Sequence, residues 1–210
     1  MGETGVSARP ESADRMRERI RAALDAHRPV KVPAQGLTSS AVLMPLFVGE
    51  DGCRLLLTKR SQQVEHHKGQ ISFPGGAADP DDGSLLATAL RETHEEVGVL
   101  PGDVEVLGRL DDITTLTGFR VTPFVGAIPH PYDYTVSEVE IDRLIEVPVS
   151  ALLHNEHFEV NYAGVDTGRY VVYSFRYGGD VIWGATAKII TRFLNVVFGF
   201  EAPDLDWEET

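Results

Sequence analysis

Apolar residues recur along this chain at two periods, one near 3.6 and one near 2, and the switches between them outline its elements. From Glu11 to about His27, the positions Met16, Ile20, Ala23 and Leu24 return at helical spacing, and Pro10 or Ser12 can begin that helix. Pro33 to Gly36 break the pattern. SSAVLMPLFV (39–48) then predicts a buried strand, and CRLLLTKR (53–60) its hairpin partner across a Glu50-Asp51-Gly52 turn. Two further apolar runs, broken by Gly and Thr, lie in VEVLGRLDDITTLTGFRVTPFVGAI (104–128). RYVVYSFRYGGDVIWG (169–184) predicts a hairpin about its Gly-Gly-Asp turn. In KIITRFLNVVFGF (188–200), Ile189, Ile190, Phe193, Leu194 and Val197 predict a helix whose apolar face seals the core.

One helical pattern carries more than packing. In SLLATALRETHEEVG (84–98), Leu86, Ala89, Leu90, Thr93 and Val97 share one face, and Arg91, Glu92, Glu95 and Glu96 are expected on the other. Ser84 or Asp82 can cap its start, and Gly98 can supply the left-handed residue that ends it. Like charges at i, i+4 repel by a few tenths of a kcal/mol, so Glu92 and Glu96 together cost stability unless a cation joins them. Three carboxylates converging within one turn suit a hard, oxygen-seeking ion such as Mg²⁺ or Mn²⁺. Arg91 can orient one of them. The glycines of Phe-Pro-Gly-Gly (73–76), just before the helix, let backbone amides approach a phosphate closely.

Composition narrows the setting. The 210 residues are 42% hydrophobic and 24% charged, as in a folded soluble chain with one sizeable core. Division into a tail and helix extension (1–30), a main domain (31–200) and an acidic tail (201–210) follows from where the apolar runs begin and end. A formal charge of −13 disfavours nucleic acid and anionic membranes as partners. It also means that an anionic substrate needs a bridging divalent cation. A lone cysteine, Cys53, excludes an intrachain disulfide, and no apolar segment approaches the length of a membrane span. Both fit a cytoplasmic protein.

The stretch from Gly76 to Val99 resembles the signature of the Nudix hydrolases: a glycine, five residues, Glu, seven residues, then Arg-Glu-apolar-x-Glu-Glu-x-Gly-apolar. Gly76, Arg91, Glu92, Glu95, Glu96, Gly98 and Val99 fill the corresponding places. Three positions depart from it. Asp82 replaces the usual Glu, eight residues rather than seven separate it from Arg91, and Thr93 holds the apolar position. The resemblance implies an α/β fold, a Nudix-type α/β/α sandwich around a mixed β-sheet with a loop-helix-loop metal site. It also implies hydrolysis of a nucleoside diphosphate derivative. Metal held by Glu92, Glu95 and Glu96 would neutralise the diphosphate and lower the pKa of a bound water.

Upstream, LLTKRSQQVEHHKGQISFPGG (56–76) resembles the additional motif of the coenzyme A diphosphatase branch: LLTxR[SA], three residues, Arg, three residues, Gly, three residues, FPGG. Leu56 to Thr58, Arg60, Ser61, Gly69 and Phe73 to Gly76 match, whereas Glu65 stands at the second arginine. The branch implies coenzyme A or an acyl-coenzyme A as substrate, cleaved to 3′,5′-ADP and 4′-phosphopantetheine. Arg60, Phe73, Gly75 and Gly76 are then expected at the substrate, with His67 or Lys68 replacing the charge lost at Glu65. TLTGFRVTPFVG (115–126) and VIWGATAKII (181–190) resemble later parts of the same branch. So does SEVEIDRLIEVPVSALL (137–153), read as an acidic loop whose Glu138 or Glu140 completes the metal site or acts as base. The alternatives are cleavage of another nucleoside diphosphate, such as NADH, ADP-ribose or a nucleotide sugar, and a Nudix domain that senses a nucleotide without cutting it. The extension and the tail, lying outside the minimal domain, are candidates for a homodimer contact.

Overall fold

The computed structural model describes residues 12–49, 52–62, 68–165 and 168–202. Helix α1 (Ala13–Ala26) starts at Ser12, whose hydroxyl accepts from the Arg15 N–H. Its Ile20 is fully buried and Leu24 nearly so. Both join the core cluster of the sheet and the last helix, so the extension packs through its apolar face.

Strand β1 (Thr38–Gly49) is the middle of a mixed sheet. It runs parallel to β7 (Phe119–Ala127) and antiparallel to β2 (Gly52–Arg60). Short strands β3 (Ile71–Ser72) and β4 (Gly75–Ala77) pair with β2 and β1. On the other side, β5 (Glu105–Arg109) and β6 (Ile113–Thr114) pair with β7. Alternation along β1 divides the core into layers. Ala41, Leu43 and Phe47 face helix α2 (Leu85–Val97), while Met44 and Leu46 face α1 and the last helix, α4 (Gly184–Phe198). A strand buried on both faces explains the unbroken apolar run read from the sequence.

Two of the longer strands were not anticipated. Residues predicted as an acidic loop, from Ile141 to Pro148, form β8, antiparallel to β2. Ile145 and Val147 of β8 are buried with Glu146 exposed between them, a period-2 signal that the acidic residues before Ile141 obscure. Phe158–Val165 forms β9, which joins the predicted hairpin β10 (Gly168–Tyr177) and β11 (Asp180–Trp183) in a separate three-stranded sheet. A short helix, α3 (Val149–Leu152), precedes it. Gly178 and Gly179 turn the hairpin at φ 57° and 85°, values that disfavour any residue with a Cβ.

Two adjacent buried aspartates tie the layers together. Asp111 accepts from the Val30 N–H at 2.7 Å, meets His27 Nε2 at 3.1 Å and pairs with Arg192 of α4. Asp112 accepts from the Val32 N–H and from Thr122 and pairs with Arg109. The segment after α1 is thereby clamped to the sheet. Among the described residues, no helix is long and apolar enough to cross a membrane.

Candidate active site

Helix α2 is built as its sequence predicts at both ends. Ser84 accepts from the Ala87 N–H, and Gly98 ends the helix at φ 76° with its N–H bonded to His94 O. A Cβ on Gly98 would lie 2.8 Å from Thr135, so the chain needs glycine there for space as well as for conformation.

Asp82, the other candidate cap, has a different task. Its two oxygens take Arg91 Nε and Nη2, both at 3.0 Å, in a bidentate pair. The Asp79 N–H and the Thr88 hydroxyl also bond it, at 2.9 and 2.8 Å. Arg91 and these donors hold the Asp82 carboxyl well below the usual carboxylate range. The remaining nitrogen, Arg91 Nη1, lies 2.9 Å from Glu92 and 3.0 Å from Glu95. One guanidinium thus aligns two of the predicted ligands, and the shorter acid one residue farther upstream still reaches it.

The expectation that all four charged residues project from the exposed face is corrected by Glu96, which is 4% exposed. Glu96 is i+3 from buried Thr93, which puts it at the edge of the apolar stripe and turns it inward against the sheet. Leu86 and Leu90, expected in the core, are only half-buried. Burial pushes the Glu96 carboxyl up to about 8; Arg60 opposes the rise, Glu92 and Glu140 add to it, and the Gly75 N–H opposes it. Glu92 is raised as well, chiefly by burial. Glu96 Oε2 is buried with no hydrogen-bond partner. A buried, partnerless carboxylate oxygen beside two other acids fits an oxygen-seeking cation.

Arg60 ends β2 on the α2 side of the sheet, and its Nη1 is 3.7 Å from Glu96 Oε1. Its backbone is fixed by Gln70, and that of the next residue, Ser61, bonds Glu140 O at 2.7 Å. This brings Glu140 into electrostatic reach of Glu92 and Glu96; Glu138, like Glu140, is exposed. Gly75 and Gly76 pair with Val42 and Ala41 of β1. A Cβ on Gly76 would fall 2.5 Å from the Glu92 carboxyl carbon, so this glycine lets the loop stand directly against the carboxylate. Phe73, expected at the substrate, is 2% exposed and sits in the core, where it anchors the loop. Lys68 is exposed in the turn before β3. His67 and Glu65 lie outside the described residues.

Arg60, Glu92, Glu95, Glu96, Glu140 and the two glycines are therefore brought to one end of the sheet, around α2. Among the described residues, no three histidine, cysteine or acidic side chains form a set that would hold an ion as they stand. Arg91 Nη1 bonds both Glu92 and Glu95.

The site is thus an arginine-braced carboxylate helix that follows a Gly-Gly loop, on a mixed sheet between helical layers. Residues 37–175 match the NUDIX domain, and the chain belongs to the Nudix family, as a Nudix hydrolase acting on a nucleoside diphosphate derivative. It is 43% identical over 154 residues to the Nudix hydrolase NudL of Enterobacter sp. (strain 638), itself uncharacterized, covering 72% of this chain and 78% of that one. Identity to NudL of Yersinia enterocolitica is 40% over 161 residues, or 75% and 80% of the two chains. Among solved structures, a binary complex of the C. elegans Ap4A hydrolase superposes with a TM-score of 0.47 at 17% identity, over 54% of this chain and 83% of that one.

Proposed function

We propose that this enzyme hydrolyses the diphosphate of coenzyme A or an acyl-coenzyme A, yielding 3′,5′-ADP and 4′-phosphopantetheine. The observation that supports this substrate is Arg60, the arginine of the LLTxR motif, which stands 3.7 Å from Glu96 with its Nε lacking a hydrogen-bond partner. A cation beside the reactive carboxylates is positioned to meet a diphosphate oxygen.

Glu92, Glu95 and Glu96 would hold Mg²⁺ or Mn²⁺. Such an ion supplies charge neutralisation at the diphosphate and a more acidic water. Water adds to one phosphorus while the bridging oxygen departs with the other half, so the anhydride bond breaks and a proton is released. Glu140, exposed and within electrostatic reach of Glu92 and Glu96, is suited to accept that proton. Arg91 and Asp82 keep Glu92 and Glu95 aligned. Gly75 and Gly76 leave room for the phosphates against the helix. A reducing cytoplasm, where the single cysteine stays free, fits a small-molecule substrate of this kind.

The test is a panel assay with Mg²⁺ and separately Mn²⁺, following products chromatographically from coenzyme A, acetyl-coenzyme A, NADH, ADP-ribose, a nucleotide sugar and a dinucleoside polyphosphate. Preference for the coenzyme A pair is expected. Preference for another diphosphate would show that Glu65 marks a change of substrate.

A further inference from the structure

A cavity of about 750 Å³ opens on the outer side of α2's last turn, within the range of small-molecule sites. Leu100, Pro131, Tyr132 and Val136 give it apolar walls; Thr135 and Ser137 add hydroxyls, and Glu95 and Asp133 add acids. It is next to the carboxylate site. Its wall residue Glu95 touches Arg91 Nη1, which also touches Glu92. Its rim residue Ser137 donates through its N–H to Glu96 O and accepts from the Glu140 N–H. The wall is also fixed: the Tyr132 hydroxyl accepts from the Leu100 N–H at 3.0 Å and donates to Asp103 at 2.8 Å.

The charges decide what it receives. No lysine or arginine is among its described lining residues, which include His94; Glu95 is already paired with Arg91, and Asp133 would repel a further phosphate. Of the two arms on a coenzyme A diphosphate, the nucleoside arm carries a 3′-phosphate. The other arm is an uncharged chain of gem-dimethyl, hydroxyl and amide groups. We propose that this cavity binds the pantetheine arm, with its methyl groups on Leu100 and Val136 and its amides and hydroxyl toward Thr135, Ser137 and Asp133. This assignment rests on coenzyme A as the substrate and says which way round it lies.

Two variants of half-exposed Leu100 test it, Leu100→Trp to fill the cavity and Leu100→Asp to make it more acidic; both keep the backbone N–H that Tyr132 uses. Inhibition constants are measured against coenzyme A turnover for the two products. For 4′-phosphopantetheine the constant should rise about tenfold in both variants, a loss of about 1.4 kcal/mol, and for 3′,5′-ADP it should stay within about twofold. Constants that move together, that do not move, or that move for 3′,5′-ADP alone overturn the assignment of the arm while leaving the substrate in place. Wild-type enzyme that does not cleave coenzyme A overturns the substrate and the arm together.

Discussion

Replacing Glu96 by glutamine should stabilise the metal-free enzyme at alkaline pH while removing its activity. Glu96 is 4% exposed, and burial raises its carboxyl from the ordinary 4.5 to about 8. A carboxyl whose pKa is raised on folding binds its proton more tightly in the folded chain. Stability is therefore complete below the unfolded value, falls as pH rises from 4.5 to about 8, and stays at its lower level above that. At about 1.4 kcal/mol for each pH decade of displacement, the loss at the alkaline limit is on the order of 5 kcal/mol. Glutamine has the same shape and never ionises, so the variant lacks this slope. The assay is urea unfolding in EDTA at pH 5 and pH 9, with each protein compared with itself. Wild type should lose several kcal/mol more than Glu96→Gln between the two, and excess Mg²⁺ at pH 9 should narrow the gap by replacing the missing counter-charge. Parallel pH profiles for the two proteins would refute the buried, unpaired state of Glu96.

Three other outcomes follow from the same geometry. Asp82→Glu should lower kcat about tenfold with an unchanged fold, because the added methylene displaces the arm that sets Arg91 at 3.0 Å; full activity would show that the spacing is not tuned. Gly76→Ala should reduce turnover far more than melting temperature, since its Cβ would lie 2.5 Å from the Glu92 carboxyl, and circular dichroism alongside kinetics separates the two effects. Ile20→Ala should cost about 2–5 kcal/mol of unfolding free energy, as for any fully buried isoleucine, and a value under about 1 would mean that α1 is an appendage after all.

The features legible in the sequence were those decided within a few residues. Ser12, Ser84 and Gly98 mark helix ends because capping is a contact between near neighbours, and Gly178-Gly179 marks its hairpin because both positions need positive φ. What escaped was set by long-range packing. Phe73 was expected at the substrate because it belongs to the motif that resembles the coenzyme A diphosphatase branch, yet its ring is claimed by the core. Strand β8 has only a short alternation of its own, at Ile145 to Val147, and is fixed by its partner β2, more than eighty residues upstream.

The inward turn of Glu96 and the position of Arg60 are two sides of one such effect. Along β2, alternation puts Leu57 and Lys59 on one face and Thr58 and Arg60 on the other, and this parity can be read from the sequence. Which face receives the carboxylate helix cannot, because that depends on how β4 and α2 fold back over β1. Once α2 lies on the Arg60 side, Glu96 meets a cation at 3.7 Å, too far for a hydrogen bond that would settle either group. A site with one carboxylate oxygen and one guanidinium nitrogen left without partners is poorly satisfied by the protein alone. That deficit is what a divalent ion and a diphosphate would together remove, and it explains why a helix with so unfavourable a charge pattern is retained at the centre of this fold.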